Sequence, residues 1–139
     1  MTEGEQTAKQ ILEQFTTWAV VGCSPDPGRD SHGIAAFLQT RGKQVIPVNP
    51  QACPGTILGQ DCYPDLASVE GPVEVVDLFR RSKHVGPHVD EAIAIGAKAV
   101  WMQLGVVDDA AATRAREAGL LVVMDRCPRI DWPRLVGYA

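Results

Sequence analysis

The stretch AVVGCSPDPGRDSHGIAAFL, residues 19–38, is an apolar run, a polar loop rich in glycine and proline, and a segment of helical character. Four more apolar runs follow at residues 45–48, 73–79, 99–102 and 120–124, and helical segments separate most of them. Strands that alternate with helices form βαβ units and a parallel sheet. Several of these runs are apolar at consecutive positions, as suits strands covered by helices on both faces. The expected fold is therefore α/β: a Rossmann-like, doubly wound, five-stranded parallel sheet in three α/β/α layers. Right-handed crossovers predict the strand order 3-2-1-4-5, with ligand beyond the C-terminal ends of strands one and four. The 139 residues suit one domain, 1–139, with one core.

Punctuation places the helices. Residues 5–15 put Ile11, Leu12 and Phe15 on one side of an initial helix. Helices over 31–40, 85–95 and 109–118 each run up to a glycine (Gly42, Gly96, Gly119), and Asp108 is a plausible N-cap. A short helix over 133–136 closes the chain. Between the second and third strands, residues 49–72 hold four prolines and three glycines, too many for a crossover helix. An irregular connection is expected there, with one helical turn at 65–69.

Composition excludes several classes. The apolar runs fall far short of the roughly 18 residues of a membrane helix, and the N-terminus is polar and acidic. A formal charge of −4 argues against a general nucleic-acid binder, so any anion site must be local. The cysteines at 23, 53, 62 and 127 lack CxxC spacing and read as reduced thiols in a cytoplasmic protein. His84 and His88 share a helical spacing, but no further ligand completes a zinc set.

Nine residues, 22–30, separate the first strand from its helix, more than the usual two to six or so. Gly22 lets the chain turn and a ligand approach, and the helix start near Asp30 and Ser31 offers free N–H groups to a phosphate. Ser24 and Ser31 add hydroxyls and Arg29 a positive charge. Ser24 stands where GxGxxG has its second glycine, and the alternative is a rigid surface loop over 25–28. NAD sites place a carboxylate at the end of the second strand to bind the ribose hydroxyls. Here that position is Asn49, followed by Pro50; a neutral amide tolerates a phosphorylated ribose, as in coenzyme A or NADP. An ordinary Asn-Pro turn is the alternative. After the third strand, Phe79 can flank an adenine, and Arg80, Arg81 or Lys83 can neutralise phosphate; for Arg81 and Lys83 a solvated loop role is preferred. Asp77, inside an apolar strand, is expected to find a backbone or water partner at a sheet edge.

The blocks VVGCSPDPGRDSHGIAAFLQTRG, VIPVNP, ILGQDCYPDL, VDLFRRS, DEAIAIGAKAVWMQLGV and AREAGLLVVMDRC, in that order, span most of the chain. In them the sequence resembles the small stand-alone CoA-binding proteins, related to the CoA-binding domain of succinyl-CoA synthetase α subunits. The resemblance implies that Gly22, Cys23, Ser24 and Arg29 line a phosphate loop and that Asn49 and Pro50 border the nucleotide. It implies Phe79 and Arg80 near the adenosine and Gln103 near the pantetheine. The closing IDWPRL departs from the His-containing stretch more usual in the family.

The ligand expected is CoA or an acyl-CoA, and no residue pattern names a protein partner. Two classes remain: a non-catalytic binding or sensing module, and an enzyme using NADP or an acyl-CoA. The synthetase's second, phosphohistidine-bearing domain has no counterpart in these residues. Cys127, beside Arg126, and His32 are the candidate reactive groups, for which packing roles are preferred. Cys23 is a thiol that can form a mixed disulfide with the cofactor.

Overall fold

The computed structural model describes residues 1–137. Helix α1 (Glu3–Gln14) begins at Thr2, whose side chain accepts from the Glu5 N–H while Glu5 accepts from the Thr2 N–H, a reciprocal capping box. At its other end, Lys43 Nζ donates to the Leu12 and Phe15 carbonyls at 2.6 Å each, a cation where the helix dipole is negative. Burial lowers the pKa of this lysine, against the pull of Glu74.

Strand β1 (Thr17–Val21) leads through the long loop to α2 (Asp30–Thr40) and then to β2 (Gln44–Val48). A small antiparallel pair follows, β3 (Thr56–Ile57) and β4 (Gln60–Asp61). The chain continues through β5 (Val75–Leu78), α3 (Ser82–Ala94), β6 (Ala99–Met102), α4 (Asp109–Glu117) and β7 (Leu121–Val123). It closes with α5 (Pro128–Asp131), continued as a wider π-helical turn over Trp132–Val136. The last helix thus starts five residues earlier than expected. At 65–69 Asp65 Oδ1 accepts from the Ser68 N–H (2.8 Å) and hydroxyl (2.6 Å) and the Val69 N–H donates to Leu66 O (3.1 Å), a single hydrogen-bonded turn that does not continue as a helix. The Asp65 bond has the N-cap geometry seen at Thr2, and it heads this one turn.

The five long strands are parallel and doubly wound, as expected, but their order is β2-β1-β5-β6-β7. In sheet numbering this is 2-1-3-4-5, which corrects the 3-2-1-4-5 expectation. Pro47 carries the reason. Toward β1, Val48 O accepts from the Gly22 N–H (2.8 Å); on the opposite edge of β2, Pro47 O accepts from Tyr63 (3.0 Å) and the Asn49 N–H donates to Tyr63 O (2.9 Å). The proline nitrogen, which has no proton to give, therefore faces outward. A proline of this kind confines its strand to a sheet edge, so no third strand can lie outside β2. The 49–72 segment instead covers that edge through an isolated bridge at Tyr63, and β5 pairs with the free side of β1.

Alternate side chains go to two cores. Ala19, Val21, Val76, Leu78, Val100 and Met102 face α3 and α4, packed on Val85, Val89, Ala111 and Ala115. Trp18, Val20, Val45, Val75, Ala99 and Trp101 face α1, α2 and the C-terminal helix, packed on Ile11, Leu12, Ile34, Leu38 and Leu135. Trp18 and Trp101 lie 5.7 Å apart in a tilted pair, and each indole N–H reaches a carbonyl, of Phe15 (3.2 Å) and Arg126 (2.9 Å).

Asp77 departs most from expectation. It lies on the central strand β5, in register between Val20 and Trp101, fully buried rather than at a sheet edge. Neither carboxyl oxygen has a hydrogen-bond partner. Burial pushes its pKa well above the ordinary 3.8, so the folded state favours the neutral acid. A group whose folded pKa is raised costs nothing below its unfolded value and removes stability as pH climbs toward the folded one. Asp77→Asn should therefore gain on wild type as pH rises. Melting curves should show the difference in Tm growing by about 3 °C or more between about pH 4.5 and pH 7.5; a difference independent of pH would show that Asp77 is not titrating.

Candidate functional site

Parallel strands of this order bind ligands where the crossovers diverge, at the C-terminal ends of the first and third strands of the sheet. Those ends meet at Gly22 and Phe79. Gly22 has φ +85°, and a Cβ on it would lie 2.5 Å from the Phe79 carbonyl oxygen and 3.4 Å from Arg80 Cδ. Only glycine permits this approach.

Beyond Gly22 the loop is held by its own polar groups. The Ser24 N–H donates to Ser31 Oγ (2.9 Å), the Asp26 N–H to Ser24 Oγ (3.0 Å) and the Gly28 N–H to Asp26 Oδ1 (2.9 Å). The loop is thereby folded back over the start of α2. Arg29 precedes α2 with no side-chain capping bond, so the helix presents its N-terminus to the cleft. Asn49 Nδ2 donates to Cys23 O (2.9 Å) and Asn49 Oδ1 accepts from Gln51 (2.9 Å), tying the end of β2 to the loop.

Two adjoining cavities result. The first, of about 530 Å³, is lined by Gly22, Ser24, Gly28, Arg29, Asp30, Ser31, Asn49, Gln51 and Phe79. The second, of about 430 Å³, shares Asp30 and Phe79 and is walled by Ile34, Arg80, Arg81, Gln103, Leu104, Gly105, Val106, Cys127, Arg129 and Ile130. Gln103 is nine-tenths buried, and its Oε1 has no partner. Leu104 and Ile130, about half exposed, stand at the rim as large apolar groups. The cleft thus has a polar end at the start of α2, with Arg29, Ser24 and Ser31, and an apolar end with one acceptor. Asp30, at the junction, is a solvent-exposed negative charge.

Of the residues singled out from sequence, Gly22, Ser24, Arg29, Ser31, Asn49 and Phe79 meet in the first cavity, and Phe79, Arg80 and Gln103 in the second. Cys23 and Pro50 line neither. The Cys23 side chain is fully buried, and burial, with a smaller push from Asp77, raises its pKa to about 11; its carbonyl accepts from Asn49, and its thiol lines neither cavity. Pro50 is exposed in a turn closed by the Ala52 N–H on Asn49 O (3.2 Å).

Arg81, read from sequence as a solvated charge, also lines the cleft. Gln51, Arg129 and Ile130 were missed. The usable signal was positional, since all three follow the C-terminal ends of parallel strands. His32 lies outside both linings, and Cys127 is a buried thiol whose neighbour Arg126 is committed to Asp131 by two bonds of 2.7 and 3.0 Å. His88 pairs with Glu91 at 3.2 Å. Among the described residues no helix is long and apolar enough to cross a membrane.

Fold and cleft define a doubly wound α/β protein with a polar cavity after its first strand. Residues 16–133 match the CoA binding domain family, and the chain belongs to that family. It is 34% identical over 122 residues to the uncharacterized protein YneT of Bacillus subtilis, covering 88% of this chain and 89% of that protein. A hypothetical protein from Pyrococcus horikoshii OT3 superposes with a TM-score of 0.89 at 37% identity, covering 99% of this chain and 94% of the other. The dinucleotide-forming acetyl-coenzyme A synthetase 1 of Ca. Korarchaeum cryptofilum, solved with phosphate and ADP, matches at TM-score 0.70 and 26% identity. That match covers 81% of this chain and 26% of the synthetase. The resemblance read from sequence is thus borne out at the level of the family.

The close approach at Gly22 is directly testable. Gly22→Ala should cost about 2 kcal/mol or more, because it combines a left-handed φ with a backbone clash. Urea unfolding measures this; a loss below about 0.5 kcal/mol would mean that the strand ends separate freely.

Proposed function

We propose that this chain is a cytoplasmic, non-catalytic module that binds coenzyme A or an acyl-CoA in the cleft and acts as a sensor of it. The observation that carries this reading is the orphaned Gln103 Oε1 at the apolar end of a cleft whose other end is an uncapped helix N-terminus. CoA has the matching polarity: phosphates at one end and, at the other, a pantetheine arm whose amides carry N–H donors. Arg29, Ser31 and the start of α2 would hold phosphate. Asn49, Gln51 and Phe79 would border the nucleoside, and Gln103 would accept from an amide N–H between the apolar walls of Leu104, Val106 and Ile130. The neutral Asn49 favours CoA over NAD. Family membership supports the ligand class.

Thermal shift tests the ligand: CoA and acetyl-CoA should raise Tm more than NAD does, and a larger shift with NAD would overturn the reading. In calorimetry, Arg29→Ala and Arg80→Ala should each weaken CoA binding by about 1 to 3 kcal/mol while the fold survives. Unchanged affinity in both would assign these arginines to the exposed loop surface.

The non-catalytic part of the reading rests on His32 standing outside both cavity linings and on Arg126 being committed to Asp131 rather than to Cys127. Purified protein should show no acyl-CoA hydrolysis, acyl transfer or NADP-linked redox turnover. Turnover near about 1 per second or faster, abolished by His32→Ala or Cys127→Ser, would make it an enzyme.

A further inference from the structure

Among the described residues, the large apolar side chains left exposed are Met1, Leu104, Val107 and Ile130. Leu104 and Ile130 both line the second cavity, 53% and 49% exposed, and reach it from different elements, the loop after β6 and the helix α5. Both are held in place by hydrogen bonds. Around Leu104, Gln103 O accepts from the Val106 N–H (2.8 Å), the Gly105 N–H donates to Asp125 Oδ1 (2.7 Å) and the Ser82 hydroxyl accepts from the Val107 N–H (2.9 Å). Beside Ile130, the Asp131 N–H donates to Cys127 O (2.9 Å), and the Asp131 carboxylate takes two bonds from Arg126. Large apolar groups held toward one cavity from two sides mark a ligand-binding groove. Ile34 and Val106, both buried, extend the apolar lining, and the unpartnered Gln103 Oε1 calls for an N–H from the occupant. The arginines lean the other way. A Cβ on Gly33, near the start of α2, would lie 3.3 Å from Arg129 Nη1, and one on Gly22 would lie 3.4 Å from Arg80 Cδ, so both side chains lie toward the polar end of the cleft.

We propose that the apolar end of the cleft is an acyl site, and that the ligand bound in preference is an acyl-CoA whose straight, uncharged chain is longer than acetyl and lies between Leu104 and Ile130. This rests on the function proposed above. CoA itself ends in a thiol and acetyl-CoA in a single methyl, whereas the groove offers two large side chains, each about half uncovered. A pantetheine amide on Gln103 Oε1 places the thioester beyond it, at the rim where these two side chains stand. Each further methylene buried there strengthens binding by up to about fourfold. A chain ending in a carboxylate would carry its charge into this apolar rim and lose hydration there.

Calorimetry on the full chain with CoA, acetyl-CoA, butyryl-CoA, hexanoyl-CoA and glutaryl-CoA tests this. Butyryl-CoA should bind about five- to tenfold more tightly than acetyl-CoA, with a more negative heat-capacity change, the mark of apolar burial. Leu104→Asn and Ile130→Asn, at half-exposed positions, should melt cooperatively as wild type does. Because both residues also wall the pantetheine, the readout is the ratio of butyryl-CoA to acetyl-CoA affinity, which should fall to about twofold or less in each variant. Equal affinities along the series, or a ratio that neither variant moves, would overturn the acyl site while leaving CoA binding intact. Glutaryl-CoA binding more tightly than hexanoyl-CoA would overturn it in favour of a carboxylate held by the arginines. Failure of CoA and of every thioester to bind would overturn the proposed function and the acyl site with it.

Discussion

The contact between Gly22 and the Phe79 carbonyl is the constraint on which the functional end of the molecule depends. β1 and β5 are neighbours in the sheet, and their chains part at this point, one turning into the loop toward α2 and the other toward α3. Because a Cβ on residue 22 would lie 2.5 Å from a backbone oxygen, the two ends meet without a side chain between them. That leaves the helix N-terminus, Asn49 and Phe79 around one space. The Ser24, Asp26 and Ser31 hydrogen bonds then hold the loop through the chain's own groups, and a site held in this way has a lower ordering cost of binding.

The central strand shows that a sheet buried on both faces can still carry an ionisable group. Asp77 sits between Val20 and Trp101 with neither oxygen paired, a position that costs stability and costs far more when the acid is charged. Its neighbour Cys23 is held as a thiol by the same burial. Polar groups on this face of the sheet are therefore kept uncharged, while the charges of the site lie one residue or more beyond the strand ends, where water screens them.

The edge of β2 links fold and site in another way. Pro47 leaves one carbonyl available and no donor, and Tyr63 takes that carbonyl. The excursion that supplies Tyr63 also sets Cys62 behind Asn49, so the segment that covers the edge also supports the cavity wall.

Much of this was legible in the sequence because it rests on local chemistry. Consecutive apolar residues in short runs mark strands covered on both sides, the glycines at 96 and 119 end helices, and the polar loop after β1 marks the first cavity. Six of the ten residues singled out for binding, Gly22, Ser24, Arg29, Ser31, Asn49 and Phe79, line the first cavity for that reason, and Arg80 and Gln103 line the second. What only the tertiary structure decided depends on which strands are neighbours. The order 2-1-3-4-5 followed from one proline whose edge preference was visible but unused, and it moved the cleft from strands one and four to strands one and three. The inward turn of Cys23, the burial of Asp77 and the placing of Cys62 against the Asn49 carbonyl have no local signature. Each arises from packing between segments far apart in the chain, and sequence spacing cannot encode which side of a sheet such segments reach.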